Sequence, residues 1–344
     1  MAPPLPPNHA CRHGVQLQRR PFLHGVSHLA WAAALPAPPA SAKLATSYVQ
    51  PGPYAVNSTS ELVAESVSVN VFTPDSAKKG APIFLFTPGF QCKSSQYDGL
   101  MKHVASHGFV AASYDVNGIT GKDTDLVRVD AAQKLVDALL DRTTTTTLVL
   151  AGHSRGAKLS ALLATKLPST SALLLIDPVD ASSFAPISDE YPSALQAIRD
   201  SSTQWSAAAV ICADRAGACA PVGVDGDAFY DVMARGKHAR SLIRIRASDA
   251  THFGALDAVT FTQASACPGV ATRRGADEYR LSTRAVACGV CASALGEKDA
   301  LSLVSRELTA LDAANADEEV SSDASTSRYA ARWRGGRRLV VDTL

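Results

Sequence analysis

Residues 66–71, Ser-Val-Ser-Val-Asn-Val, alternate polar and apolar side chains with period two, the pattern of an antiparallel strand covered on one face. Beyond it the apolar runs change character. Runs of strand length recur at 83–87, 109–114, 148–151, 172–176, 208–212 and 242–246, and most are continuously apolar. A strand reads this way when both faces of its sheet are covered. Helical patterns stand between the runs, clearest at 123–142, where Leu126, Val129, Ala132, Val136, Leu139 and Leu140 share one face. Others lie at 158–164 and, late in the chain, at 277–295. This alternation predicts an α/β fold, a doubly wound, mostly parallel sheet with helices on both faces. Such sheets form their sites beyond the carboxyl ends of the strands, so reactive residues are expected directly after strands.

Length and composition set the frame around that domain. With 344 residues and 46% hydrophobic content there is enough apolar surface for one sizeable core with extensions. We read residues 1–45 as a targeting segment, 46–300 as the α/β domain and 301–344 as a charged, partly disordered extension. The first sixty residues hold no acidic side chain; Arg12, Arg19, Arg20 and Lys43 stand among Pro, Ala and His, the profile of a targeting peptide. Arg19-Arg20 before the short apolar stretch 29–35 and the small residues Ala40-Ser41-Ala42 suit a secretory or twin-arginine signal as well as a transit peptide. A net charge of +1 supplies no field to recruit nucleic acid or an anionic membrane, and no apolar run is long enough to span a bilayer, so a soluble or peripheral protein is expected. Seven cysteines make no disulfide scaffold in a chain of this size. Cys288-Gly289-Val290-Cys291 has redox or zinc spacing, but it falls inside the late helix, and we read it as core packing. Residues 178–205 form a long mixed stretch that suits either a lid over a pocket or a surface excursion.

Gly152-His153-Ser154-Arg155-Gly156 is a Gly-x-Ser-x-Gly pattern entered by the apolar run 148–151 and left by a helix. That strand-turn-helix setting makes Ser154 a candidate nucleophile, because two glycines allow the sharp turn that lifts the hydroxyl above the sheet. A serine hydroxyl needs a base as it attacks. His252, directly after the run 242–246 in Ser248-Asp249-Ala250-Thr251-His252-Phe253, fits that place; His103, His107, His153 and His238 do not. The acid that orients the histidine should also end a strand. Asp177 and Asp214 both do, with Asp180 a third choice, and position does not separate them. An oxyanion needs fixed N–H donors, expected from the amide of Arg155 and, in the loop Thr87-Pro88-Gly89-Phe90, that of Phe90.

With Phe84-Leu85-Phe86-Thr87-Pro88-Gly89-Phe90, the Ser154 turn, Ile176-Asp177-Pro178-Val179-Asp180, Cys219-Ala220-Pro221, Phe229-Tyr230 and the His252 loop, the chain resembles the plant and algal chlorophyllases from about Tyr48 to Leu295. The resemblance implies an α/β-hydrolase fold and takes Asp177 as the acid. It implies hydrolysis of the phytyl ester of chlorophyll through an acyl-enzyme, with no metal or other cofactor, the magnesium belonging to the substrate. Ala157 stands where the family often has a second glycine. The implied partner is a small lipophilic ester; Phe90, Phe184 and Phe253 are expected to line its site. The leader is then read as directing the chain to the chloroplast, with stroma, lumen and peripheral thylakoid contact all open and secretion as the alternative. A general carboxylesterase or cutinase-like hydrolase is a second reading, and a non-catalytic tetrapyrrole-binding protein a third.

Overall fold

The computed structural model describes residues 47–64, 67–77, 80–116, 123–143, 145–183, 185–267, 269–323 and 339–344. The segment expected to be a targeting peptide lies outside these residues, as do Phe184 and the basic run through Arg338. In chain order the elements are β1 (Val56–Ala64), β2 (Val67–Pro74), β3 (Ile83–Thr87), α1 (Asp98–Ser106), β4 (Val110–Val116), α2 (Asp125–Thr143), β5 (Leu148–His153), α3 (Arg155–Lys166), β6 (Thr170–Ile176), α4 (Ala194–Asp200), β7 (Ala207–Arg215), α5 (Gly226–Gly236), β8 (Leu242–Thr251), α6 (Phe261–Ala266), α7 (Arg273–Ala294), α8 (Ala300–Asp323) and β9 (Leu339–Thr343). The strands form one sheet in the order β1-β2-β4-β3-β5-β6-β7-β8-β9. Pairing is parallel from β4 through β8 and antiparallel at β1 with β2, β2 with β4 and β8 with β9.

The continuous apolar runs follow from this layering. Along β3, Ile83 and Leu85 enter one buried cluster while Phe84 and Phe86 enter the other; Leu173 and Leu175 part from Leu174 and Ile176 in the same way along β6. Residues of α1, α7 and α8 close one face, and those of α2, α3, α4 and α5 close the opposite one. Each such side chain taken fully from water stabilises the fold by about 1.5–3 kcal/mol. Within α2 the expected face is buried at Val129, Ala132, Val136 and Leu139, whereas Leu126, read as part of it, is exposed in the first turn.

Several elements depart from the expectation. β1 is an edge strand whose Ser58, Thr59 and Ser60 are exposed, so no apolar period marks it. The segment from 301 onward is not simply a solvated extension: Leu301, Val304 and Leu308 of α8 pack into the core, and β9 completes the sheet beside β8, with Arg244 bridging Asp342 and Asp227. The stretch 178–205 ends as scaffold, because α4 buries Ala194, Leu195 and Ile198 and Trp205 is fully enclosed. Cys219 and Cys267 form a disulfide that closes a loop 48 residues apart in sequence, which composition did not suggest. In the chain-entropy view a loop of that length destabilises the unfolded chain by roughly 4 kcal/mol. Among the described residues no helix is long and apolar enough to cross a membrane.

Candidate active site

β5 ends at His153 and α3 begins at Arg155, so the whole turn between them is Ser154. Its backbone sits at φ 55° and ψ −126°, a region that costs a residue with a side chain about 1–3 kcal/mol. Glycine makes the turn sterically possible on either side. A Cβ on Gly152 would collide with the carbonyl of Gly156, and one on Gly156 with the carbonyls of Thr87 and Pro88. Rigid backbone oxygens cannot yield as a flexible side chain would. Gly156→Ala should therefore lower stability by roughly 2–3 kcal/mol and reduce turnover as well, since the Pro88 loop must shift; denaturant midpoints and ester hydrolysis of the purified variant check both effects.

The last residue of β8 is Thr251, and His252 follows it in a single short turn. Its Nε2 lies 2.8 Å from Ser154 Oγ, and its Nδ1 lies 2.6 Å from Asp177 Oδ2. All three side chains are buried. A carboxylate accepts only, so Nδ1 carries the proton and Nε2 turns its lone pair toward the serine hydroxyl. Asp177 is itself fixed. Its amide donates to the Ile211 carbonyl at 2.6 Å, its Oδ1 accepts from the Ala213 amide at 3.1 Å, and its φ of 41° turns the chain sharply off β6. Asp214 remains within β7 with its side chain exposed. Asp180 spends its carboxylate on the start of α4, accepting from Ser193 Oγ and the Ala194 amide at 2.6 Å each. Of the three aspartates considered, the structure brings only Asp177 to His252.

The loop carrying Phe90 leaves β3 against the Ser154 turn: a Cβ on Gly89 would stand 3.3 Å from Ser154 Cβ. The Arg155 amide opens α3, where the first amides have no acceptor within the helix and the helix dipole presents its positive end. The side chain of Arg155 is engaged elsewhere. Its Nε donates to Asp125 Oδ1 at 2.7 Å and its Nη2 to the Asp123 carbonyl at 2.9 Å, while the rings of Phe90 and Tyr191 lie 6.0 and 5.8 Å from the guanidinium. Asp125 also pairs with the buried Lys158 at 2.8 Å. This side chain thus ties α2, the turn and both flanking loops together, whereas sequence reading assigned Arg155 only its amide. Beside the loop lies a cavity of about 390 Å³ whose lining includes Pro88, Phe90, Tyr114, Arg155 and Leu159, at the small end of ligand pockets. Phe253 packs edge-on to His252 at 5.1 Å.

His153 is a second residue whose part was not foreseen. Its Nε2 donates to the His252 carbonyl at 2.8 Å, and its Nδ1 accepts from the Tyr97 hydroxyl at 2.8 Å; Tyr97 in turn accepts from the Gly89 amide at 3.4 Å. One buried ring therefore joins the histidine loop to the Phe90 loop. The available signal was its place at the end of a fully buried strand, one residue before the turn, where a side chain must point inward. Complete burial, and then the neighbouring His252, hold its imidazole well below the usual 6.5. The unfolded chain takes up a proton below that value and the fold does not, so this residue's stabilising part is present above 6.5 and is lost as pH falls below it, by up to about 1.4 kcal/mol per pH unit. The melting temperature should fall on acidification, and less steeply for His153→Gln, in thermal scans across that interval.

A serine hydroxyl, a neutral imidazole and a buried carboxylate in one hydrogen-bonded row can generate and stabilise an oxygen nucleophile without further parts. A protein-family model described as Chlorophyllase matches residues 44–322 of the chain. No curated protein matches the sequence.

Proposed function

The chain belongs to the chlorophyllase family, and on that premise we propose that it is a serine ester hydrolase that cleaves the phytyl ester of chlorophyll to chlorophyllide and phytol. The observation that carries this reading is the Ser154, His252 and Asp177 row at 2.8 and 2.6 Å, set in an α/β-hydrolase sheet. Ser154 Oγ attacks the ester carbonyl while His252 Nε2 takes its proton. Asp177 keeps the imidazole oriented and stabilises it when charged. The amides of Phe90 and Arg155 hold the oxyanion of the tetrahedral intermediate. His252 then returns the proton to the departing alkoxide, and phytol leaves an acyl-serine. A water molecule, deprotonated by the same imidazole, hydrolyses that ester and regenerates Ser154.

Incubation of the purified protein with chlorophyll should release water-soluble chlorophyllide and free phytol. A parallel assay with a short p-nitrophenyl ester separates this from a second reading, a general carboxylesterase. Rapid cleavage of the short ester with no chlorophyllide would sustain that second reading. Delivery to the chloroplast and contact with the thylakoid surface belong to the proposal as well; import of the full chain into isolated chloroplasts would test them.

A further inference from the structure

The proposed reaction leaves the Cys288-x-x-Cys291 motif unused. α7 carries Cys288, only 1% exposed, into the buried cluster shared with α1. At the end of α1 stand His103 and His107, one helical turn apart and therefore on one face. One ring nitrogen of each histidine and the sulfur of Cys288 lie within 4.8 Å of one another. The histidine pair precedes the cysteines by most of the chain, so its spacing means nothing until the fold stacks α1 on α7.

Two further features point to a ligand. His103 Nε2 lies 2.9 Å from the Tyr48 carbonyl, and His107 Nε2 lies 3.1 Å from the Gln50 carbonyl. A carbonyl only accepts, so Nε2 carries the proton in both rings and each Nδ1 keeps a lone pair. A ring held from behind by a carbonyl is the arrangement metal-binding histidines adopt, because it fixes tautomer and orientation. Second, His107 is 95% buried by its 5% exposure, and its Nδ1 has no hydrogen-bond partner. A buried acceptor left bare is costly, and a cation removes that cost.

We propose that His103, His107 and Cys288 form a structural site for one zinc-class ion. Two imidazole nitrogens and a thiolate suit Zn²⁺ and do not suit the oxygen-seeking Mg²⁺ or Ca²⁺. Cys288 binds as thiolate and releases one proton to solvent, and the two histidines bind as neutral imidazoles. Zinc bonds of about 2.0–2.3 Å draw the three donors inward. α1 ends just before β4 begins, whereas Ser154 follows the carboxyl end of β5, so the site lies at the amino-terminal end of the parallel strands, opposite the end that carries Ser154. The ion clamps α1 to α7 and, through the two carbonyls, the segment around Tyr48 and Gln50. It takes no part in ester cleavage, so the proposal stands or falls separately from the substrate.

The full-length protein, produced with zinc supplied and then dialysed, should retain close to one zinc per chain by elemental mass spectrometry. Cys288→Ser and His107→Asn should lose it, and Cys92→Ser, which removes a partly exposed free thiol, should keep it. Cobalt loading should give a thiolate charge-transfer band in the near ultraviolet that only the first two variants lack, while their ester hydrolysis shows them folded. Wild-type protein without stoichiometric zinc or a cobalt band, or a band that survives Cys288→Ser, would overturn the proposal.

Discussion

Ser154→Ala should lower ester turnover by a factor on the order of 10⁴–10⁶ and leave the fold intact. The change removes the one oxygen that His252 Nε2 meets at 2.8 Å and adds no atoms. Nothing near it has to move, because the Cβ already occupies the turn and the backbone hydrogen bonds around residue 154, from its amide to the Ile176 carbonyl and from the Ala157 amide to its own carbonyl, do not involve the hydroxyl. Chlorophyllide release and p-nitrophenyl ester cleavage should fall together, while the thermal midpoint shifts little. A fluorophosphonate probe should label the wild-type serine and fail on the variant. Equal turnover by both proteins would remove Ser154 from the mechanism.

Asp177→Asn should cost about 10⁴ in kcat, with Asp214→Asn near wild type. An asparagine keeps the shape but can present an N–H where Nδ1 needs an acceptor. The imidazole then protonates on Nε2, and the lone pair that faced Ser154 is lost. Asp177 also accepts the Ala213 amide through Oδ1, a bond the asparagine carbonyl can still make, so the damage should appear in kcat more than in folding. The control is informative because Asp214 follows an equally apolar run yet stays within β7 and faces solvent. Steady-state kinetics on the two variants, with their denaturation curves, separate the roles. Loss in Asp214→Asn alone would move the acid to β7.

The central sheet was legible because being covered on both faces leaves a mark: runs such as 83–87 and 172–176 have no polar side to show. The edge strands were not. β1 exposes Ser58, Thr59 and Ser60, and β9 is short and follows a basic run, so neither displays the apolar period that burial imposes. At the site, Ser154 and His252 were readable from one rule, that reactive groups end strands. The same rule put Asp177 and Asp214 on equal terms. What separates them is a backbone fact: the chain leaves β6 at Asp177 with φ 41°, while β7 runs on in extended form through Arg215. His153 and the side chain of Arg155 escaped for a different reason. Each acts by joining segments distant in sequence, and hydrogen bonds from residue 153 to 252 and to 97 follow only from the assembled fold.

The left-handed backbone of Ser154 sets two demands against each other. At φ 55° the residue that would sit most easily is glycine, which has no Cβ to strain, yet glycine has no hydroxyl. Selection for a more stable fold and selection for a faster enzyme therefore pull this position in opposite directions. A search for stabilising substitutions that scored folding alone would be drawn first to the residue the reaction can least do without.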